Sequence, residues 1–179
     1  MGLMFTYLIG ALAISFMCSI LEAVLLSTPM SFITMKEEQG VKTATLMKEY
    51  KSNIDRPVAA ILSLNTIAHT IGAAGVGAEA VKIWGQEAFG IISAILTLLI
   101  LVLSEIIPKT IGSTYWRSLA IISTKTIRCL VIITWPLVML LELITKWISP
   151  KVQPLTVSRE EVSAMVTVGT EEGVFEAEE

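Results

Sequence analysis

Residues 88–109 read AFGIISAILTLLILVLSEIIPK, an apolar run that closes on Ser104-Glu105-Ile106-Ile107-Pro108-Lys109. Its apolar part, 88–107, has the roughly 20 residues that a bilayer-spanning helix requires. Working outward, three more stretches meet the same test: 3–26, 57–81, and 119–148, the last interrupted by Trp135-Pro136. Composition agrees, because 54% of the 179 residues are hydrophobic and only 16% charged, against about a quarter charged in soluble domains. The mean hydropathy is +0.73. The chain is therefore read as an all-α membrane protein. The first stretch has no basic cluster before it and no small-residue cleavage site after it, so it reads as a retained span rather than a signal peptide. No nucleophile–base pair, phosphate-binding glycine loop or zinc spacing is present, which argues against an enzyme. Cys18 and Cys129 stand far apart in apolar runs and read as small packing residues.

Orientation follows from the bases, since short positive loops stay cytoplasmic. The first connection carries Lys36, Lys42, Lys48, Lys51 and Arg56, whereas the link between the second and third stretches has only Lys82. The expected topology places residues 28–56 inside and the N-terminus outside, with the third span returning Lys109 and Arg117 to the cytoplasm. The fourth stretch has bases at both ends, Lys125 and Arg128 against Lys146, Lys151 and Arg159. A proline deletes a helical hydrogen bond and crowds the preceding turn, so Trp135-Pro136 suits the bend of a re-entrant or interfacial hairpin better than a fourth crossing. Residues 31–50 mix apolar and charged side chains as a helix lying along the membrane surface does. After Pro150 the composition turns soluble: Glu160, Glu161, Glu171, Glu172, Glu176, Glu178 and Glu179 come with no base among residues 160–179. Residues 1–150 are expected to form the transmembrane domain and 151–179 a short cytosolic acidic helical segment.

Polar groups inside apolar spans are costly and are functional candidates by default. The first span holds Ser15, Ser19 and Glu22, and the second Ser63, Asn65, Thr66, His69 and Thr70. In the third, Ser104 and Glu105 precede Pro108, whose ring leaves the Ser104 carbonyl without its helical amide partner. Ser19 with Glu22, and Asn65 with His69, share helix faces by their spacing. Oxygen-rich, cysteine-free groups of this kind suit a hard cation such as Mg²⁺, or Na⁺. Plainer readings stand beside that one. Hydroxyls in helices commonly bond a carbonyl one turn back, and a lone histidine is commonly a packed, hydrogen-bonded residue. Glu105 and Lys109 have the spacing of an ion pair, and Glu22 can pair with a base at the interface.

Ser19-Ile20-Leu21-Glu22-Ala23, Leu64-Asn65-Thr66 and Ser104-Glu105-Ile106-Ile107-Pro108-Lys109 together resemble the CNNM/CorC (CorB) transmembrane domain. Glu171-Glu172-Gly173-Val174 is similar to the acidic linker of that family. The resemblance covers essentially the whole chain, and the third-span motif is its most specific part. It implies three transmembrane helices with juxtamembrane or re-entrant helices, a homodimer in the plasma membrane, and Mg²⁺ export coupled to Na⁺. It also implies a cation site on Ser19, Asn65, Glu105 and a backbone carbonyl near Gly112, supported by Glu22, Ser104, Pro108 and Lys109. A CBS-domain pair, where ATP would bind, is expected beyond residue 179. A membrane-anchored cation sensor that regulates another transporter is the alternative. Neither reading involves nucleic acid.

Overall fold

The computed structural model describes residues 1–148, and among these there are helices and no strands. Helix α1 (Gly2–Ser27) is followed by α2 (Met30–Glu38), α3 (Lys42–Ser52) and α4 (Asp55–Trp84). A 3₁₀ turn (Gln86–Ala88) leads into α5 (Phe89–Leu99), a π-helical segment (Ile100–Ile106) and α6 (Ile107–Thr114). Then come α7 (Trp116–Ile133) and α8 (Trp135–Ile148). Three continuous helical stretches are long and apolar enough to cross a bilayer: Gly2–Ser27, Asp55–Trp84 and Gln86–Thr114. These are the three spans expected from the sequence. The acidic segment expected over 151–179 lies outside the described residues.

Within the unit Met1–Ile144, α1 is the central strut, packing against α4, α6, α7 and the π segment. The α1–α4 contact depends on small residues, because without a hydrophobic force between helices in lipid, close backbone approach supplies the attraction. A methyl added at Gly72 would overlap Ala11, and one at Gly75 would enter the Tyr7 ring. At the other end of α1, Cys18, Leu21 and Leu25 form a core with Tyr50, Ala60, Ile61, Ile127 and Val138. The third span is the least enclosed, with 11% of its most apolar window buried. Ile91, Ile95, Leu98 and Leu101 leave that face open to lipid or to another chain.

One element differs from the sequence reading, and one break falls within a residue of where it was expected. The surface helix expected over 31–50 is a helical hairpin, because Gly40 adopts φ +76°, a left-handed conformation that ends α2 and that glycine takes without steric penalty. Lys48 pairs with Glu37 at 2.6 Å across that hairpin. The fourth apolar stretch is two helices, α7 and α8, separated at Thr134, one residue before the expected Trp135-Pro136 bend. On the α2 side, Phe32 meets Trp116 edge-on at 5.0 Å.

Lys51 ties α3 to α1. Its Nζ donates to the carbonyls of Leu25 (3.0 Å) and Leu26 (2.9 Å), a cation placed at the negative end of a helix dipole. Burial pushes its ammonium below the ordinary lysine value.

Replacing Gly75 with Leu is expected to force Tyr7 out of the α1–α4 contact and destabilise the domain by about 1–3 kcal/mol, the usual range for overpacking. Tyr7→Ala in the same chain should restore part of the loss. Thermal unfolding in detergent of the single and double variants measures both.

Candidate functional site

Where α1, α4 and the third span meet, Ser15, Ser19, Glu22, Asn65, His69, Ser104 and Glu105 come together, whereas Thr66 and Thr70 are exposed on α4. The π segment is what aims the third span's share. Its winding carries about one extra residue in the turn, so consecutive side chains lie closer in angle, and Ser104 and Glu105 both turn toward the bundle. The amide of Ile107 bonds the carbonyl of Val102, five residues back. Ser104 is fully buried and the Glu105 side chain is 22% exposed. Pro108 follows, buried in the first turn of α6.

Asn65 Nδ2 donates to Glu105 Oε1 at 3.0 Å, and His69 Nε2 lies 3.8 Å from the same oxygen. The four-residue spacing of Asn65 and His69 thus delivers both to one carboxylate. Lys109 Nζ sits 3.1 Å from Glu22 Oε2 and 3.3 Å from Glu105 Oε2. The ion pair read from the Glu105–Lys109 spacing is present, and Glu22 is its second acid. Ser19 Oγ and Asn65 Oδ1 are buried without a hydrogen-bond partner. Gly112 lies in the last turn of α6, where carbonyls run out of helical amides. A methyl there would come within 2.8 Å of Ile20 O and of Ala23 Cβ, so glycine permits α6 to press on the α1 turn that follows Ser19.

A second strand of the site was only partly visible in the sequence. Ser15 Oγ donates to Ser104 Oγ at 3.0 Å, and Ser104 Oγ donates to the Ile100 carbonyl at 2.8 Å. Each hydroxyl has one proton, so the 2.6 Å contact between Ser15 Oγ and His69 Nε2 must be donated by the imidazole. The chain of donors runs from α4 through α1 to the carbonyl that opens the π segment. Ser15 lies four residues before Ser19, on the same stripe; that spacing was the available signal. Ser63, by contrast, follows the plainer reading and bonds Ala59 O at 2.6 Å. Among the described residues no group of three or more His, Cys, Asp or Glu could hold a metal; the site combines two carboxylates with neutral side-chain oxygens.

The model of the Cyclin M transmembrane N-terminal domain family matches residues 7–179. The chain belongs to that family. Its similarity extends to the UPF0053 protein sll1254 of Synechocystis sp., 34% identical over 162 residues that make up 90% of this chain and 47% of that protein. A UPF0053 protein of Haemophilus influenzae is 28% identical over 92% of this chain and 40% of its own length. The UPF0053 inner membrane protein YfjD of Escherichia coli is 28% identical over 61% of this chain and 26% of its own length. This cyclin M domain therefore spans less than half the length of these relatives. It is a multi-pass membrane domain, in keeping with its three spans.

Replacing His69 with Phe removes the donor to Ser15 and leaves that buried hydroxyl under-satisfied, a loss of about 1–3 kcal/mol. His69→Gln places an amide donor at the position of Nε2 and should retain most of the stability. Thermal melts of the two variants against wild type give the comparison.

Proposed function

We propose that this cyclin M domain carries Mg²⁺ across the membrane through a site made by Ser19, Asn65, Glu105 and the Gly112 carbonyl. The observation that carries the reading is the pair of buried oxygens, Ser19 Oγ and Asn65 Oδ1, left without partners in the bundle that also encloses the Glu105 carboxylate. Unpaired buried acceptors are costly, and a hard cation taking oxygen ligands is what relieves them. Asn65 supports the assignment twice: its amide nitrogen holds Glu105 while its oxygen stays available.

In this reading Glu105 supplies the anionic ligand, Ser19 and Asn65 neutral oxygens, and Gly112 a carbonyl from a helix end. Ser104 and Pro108 shape the π segment that aims Glu105, and Lys109, held also by Glu22, offsets its charge. The role is transport, without catalysis of a reaction. Export, Na⁺ as the coupling ion and a homodimer follow the family resemblance, and the exposed apolar face of the third span is available to a second copy. In this proposal the N-terminus lies outside the plasma membrane and the α2–α3 hairpin on its cytoplasmic side, an orientation that the Lys36 to Arg56 cluster supports. A cation sensor is the second reading, favoured by the ion pairs that already hold Glu105, since a site can respond to an ion without moving it. Mg²⁺ flux into liposomes holding the purified chain alone separates the two.

Glu105→Gln keeps size and hydrogen bonding and removes the charge. It is expected to express and to lose Mg²⁺ binding in calorimetry together with flux, and Asn65→Ala to weaken both. Wild-type Mg²⁺ affinity in Glu105→Gln would exclude Glu105 from the site.

A further inference from the structure

The position of Lys109 carries an inference that rests on the proposed Mg²⁺ site. Its ammonium bridges two carboxylates from different spans, Glu22 Oε2 at 3.1 Å and Glu105 Oε2 at 3.3 Å. The acids are well enclosed, their side chains 17% and 22% exposed, while the lysine is 47% exposed. Glu105 is additionally held at its other oxygen by Asn65. The anchors of the bridge are fixed and its cation is the loose member, a compact charge on a flexible four-carbon stem.

Charge balance decides what such a bridge does when a divalent ion arrives. Two carboxylates and Mg²⁺ sum to zero, whereas the same set with the ammonium still in place leaves a net positive charge in an apolar environment, where uncompensated charge is strongly disfavoured. The ion and the ammonium also need the same carboxylate, because Glu105 is the anionic member of the proposed ligand set. The other groups around the bridge, Ser19 on α1, Asn65 and His69 on α4, and Ser104 on the π segment, offer no third anion. We infer that Lys109 is a tethered competitor of the transported cation. Its single positive charge offsets one of the two carboxylate charges while no divalent ion is bound, and it swings out toward the exposed side when one binds. The competitor keeps the carboxylates from standing bare in the membrane, and it weakens the ion's hold so that the ion can leave.

Two measurements test this. In wild type, acylation of Lys109 by an amine-reactive reagent, followed by mass spectrometry, should be several-fold faster with saturating MgCl₂ than with choline chloride of equal ionic strength. An equal or slower rate overturns the inference. In calorimetry, Lys109→Gln should bind Mg²⁺ more tightly than wild type, about tenfold if the ammonium vacates the site about one tenth of the time, and Lys109→Arg should remain near wild type. Affinity in Lys109→Gln equal to or weaker than wild type overturns it as well. Should Lys109→Gln fail to fold, the wild-type acylation rates decide. Absence of Mg²⁺ binding by wild type itself removes the transport site and this inference with it, a result distinct from wild-type binding that Lys109→Gln leaves unimproved.

Discussion

A carboxylate inside the third span is the constraint around which the bundle is arranged. On the lenient insertion scale a charge at the centre of a membrane helix costs about 2.5–3.5 kcal/mol, and Glu105 is held by partners from α4 and α6. Asn65 donates from α4, Lys109 pairs from α6, and Glu22 on α1 shares that lysine. The π segment is the backbone's part in the arrangement, since it turns Glu105 and Ser104 inward together. The donor chain from His69 through Ser15 and Ser104 to Ile100 O then holds the π segment's first carbonyl. Packing follows the same need: Gly72, Gly75 and Gly112 let α4 and α6 approach α1 closely enough for these short polar contacts.

Much of this was legible in the sequence because the bilayer imposes a coarse rule. Three stretches of sufficient length and hydrophobicity could hardly be anything but spans, and the costliest intruders, Glu105, Glu22, Asn65 and His69, had to find partners, while Thr66 and Thr70 are exposed and Ser63 bonds its own helix. Spacing did the rest for Asn65 with His69 and for Glu105 with Lys109. The π winding was not legible, since Ile100-Leu101-Val102-Leu103 carries no local signal for it and only Pro108 marks the region. The split of the surface helix was missed because Gly40 sits in a run whose mixed pattern reads continuously, and a positive φ is a property of the folded backbone. The meeting of Ser15 with His69, 54 positions apart, is tertiary, and no periodicity within one helix contains it.

The site also shows how one set of side chains serves two demands. Ion pairs and a donated amide make Glu105 tolerable in the membrane, and in the proposed transport cycle the same acid must release those partners to an ion. Lys109, half exposed at the edge of the cluster, is built for release, whereas Asn65 keeps its nitrogen on Glu105 and leaves its oxygen free. The arrangement is thus stable and yet incomplete in the one respect, unpaired oxygen acceptors, that a hard cation supplies.

The most direct measurement is anomalous diffraction from crystals of the purified protein soaked in Mn²⁺ as a stand-in for Mg²⁺. The account predicts a peak at coordination distance from the Glu105 carboxylate, Ser19 Oγ and Asn65 Oδ1. A fully occupied peak elsewhere in the membrane region, with none at Glu105, would contradict it.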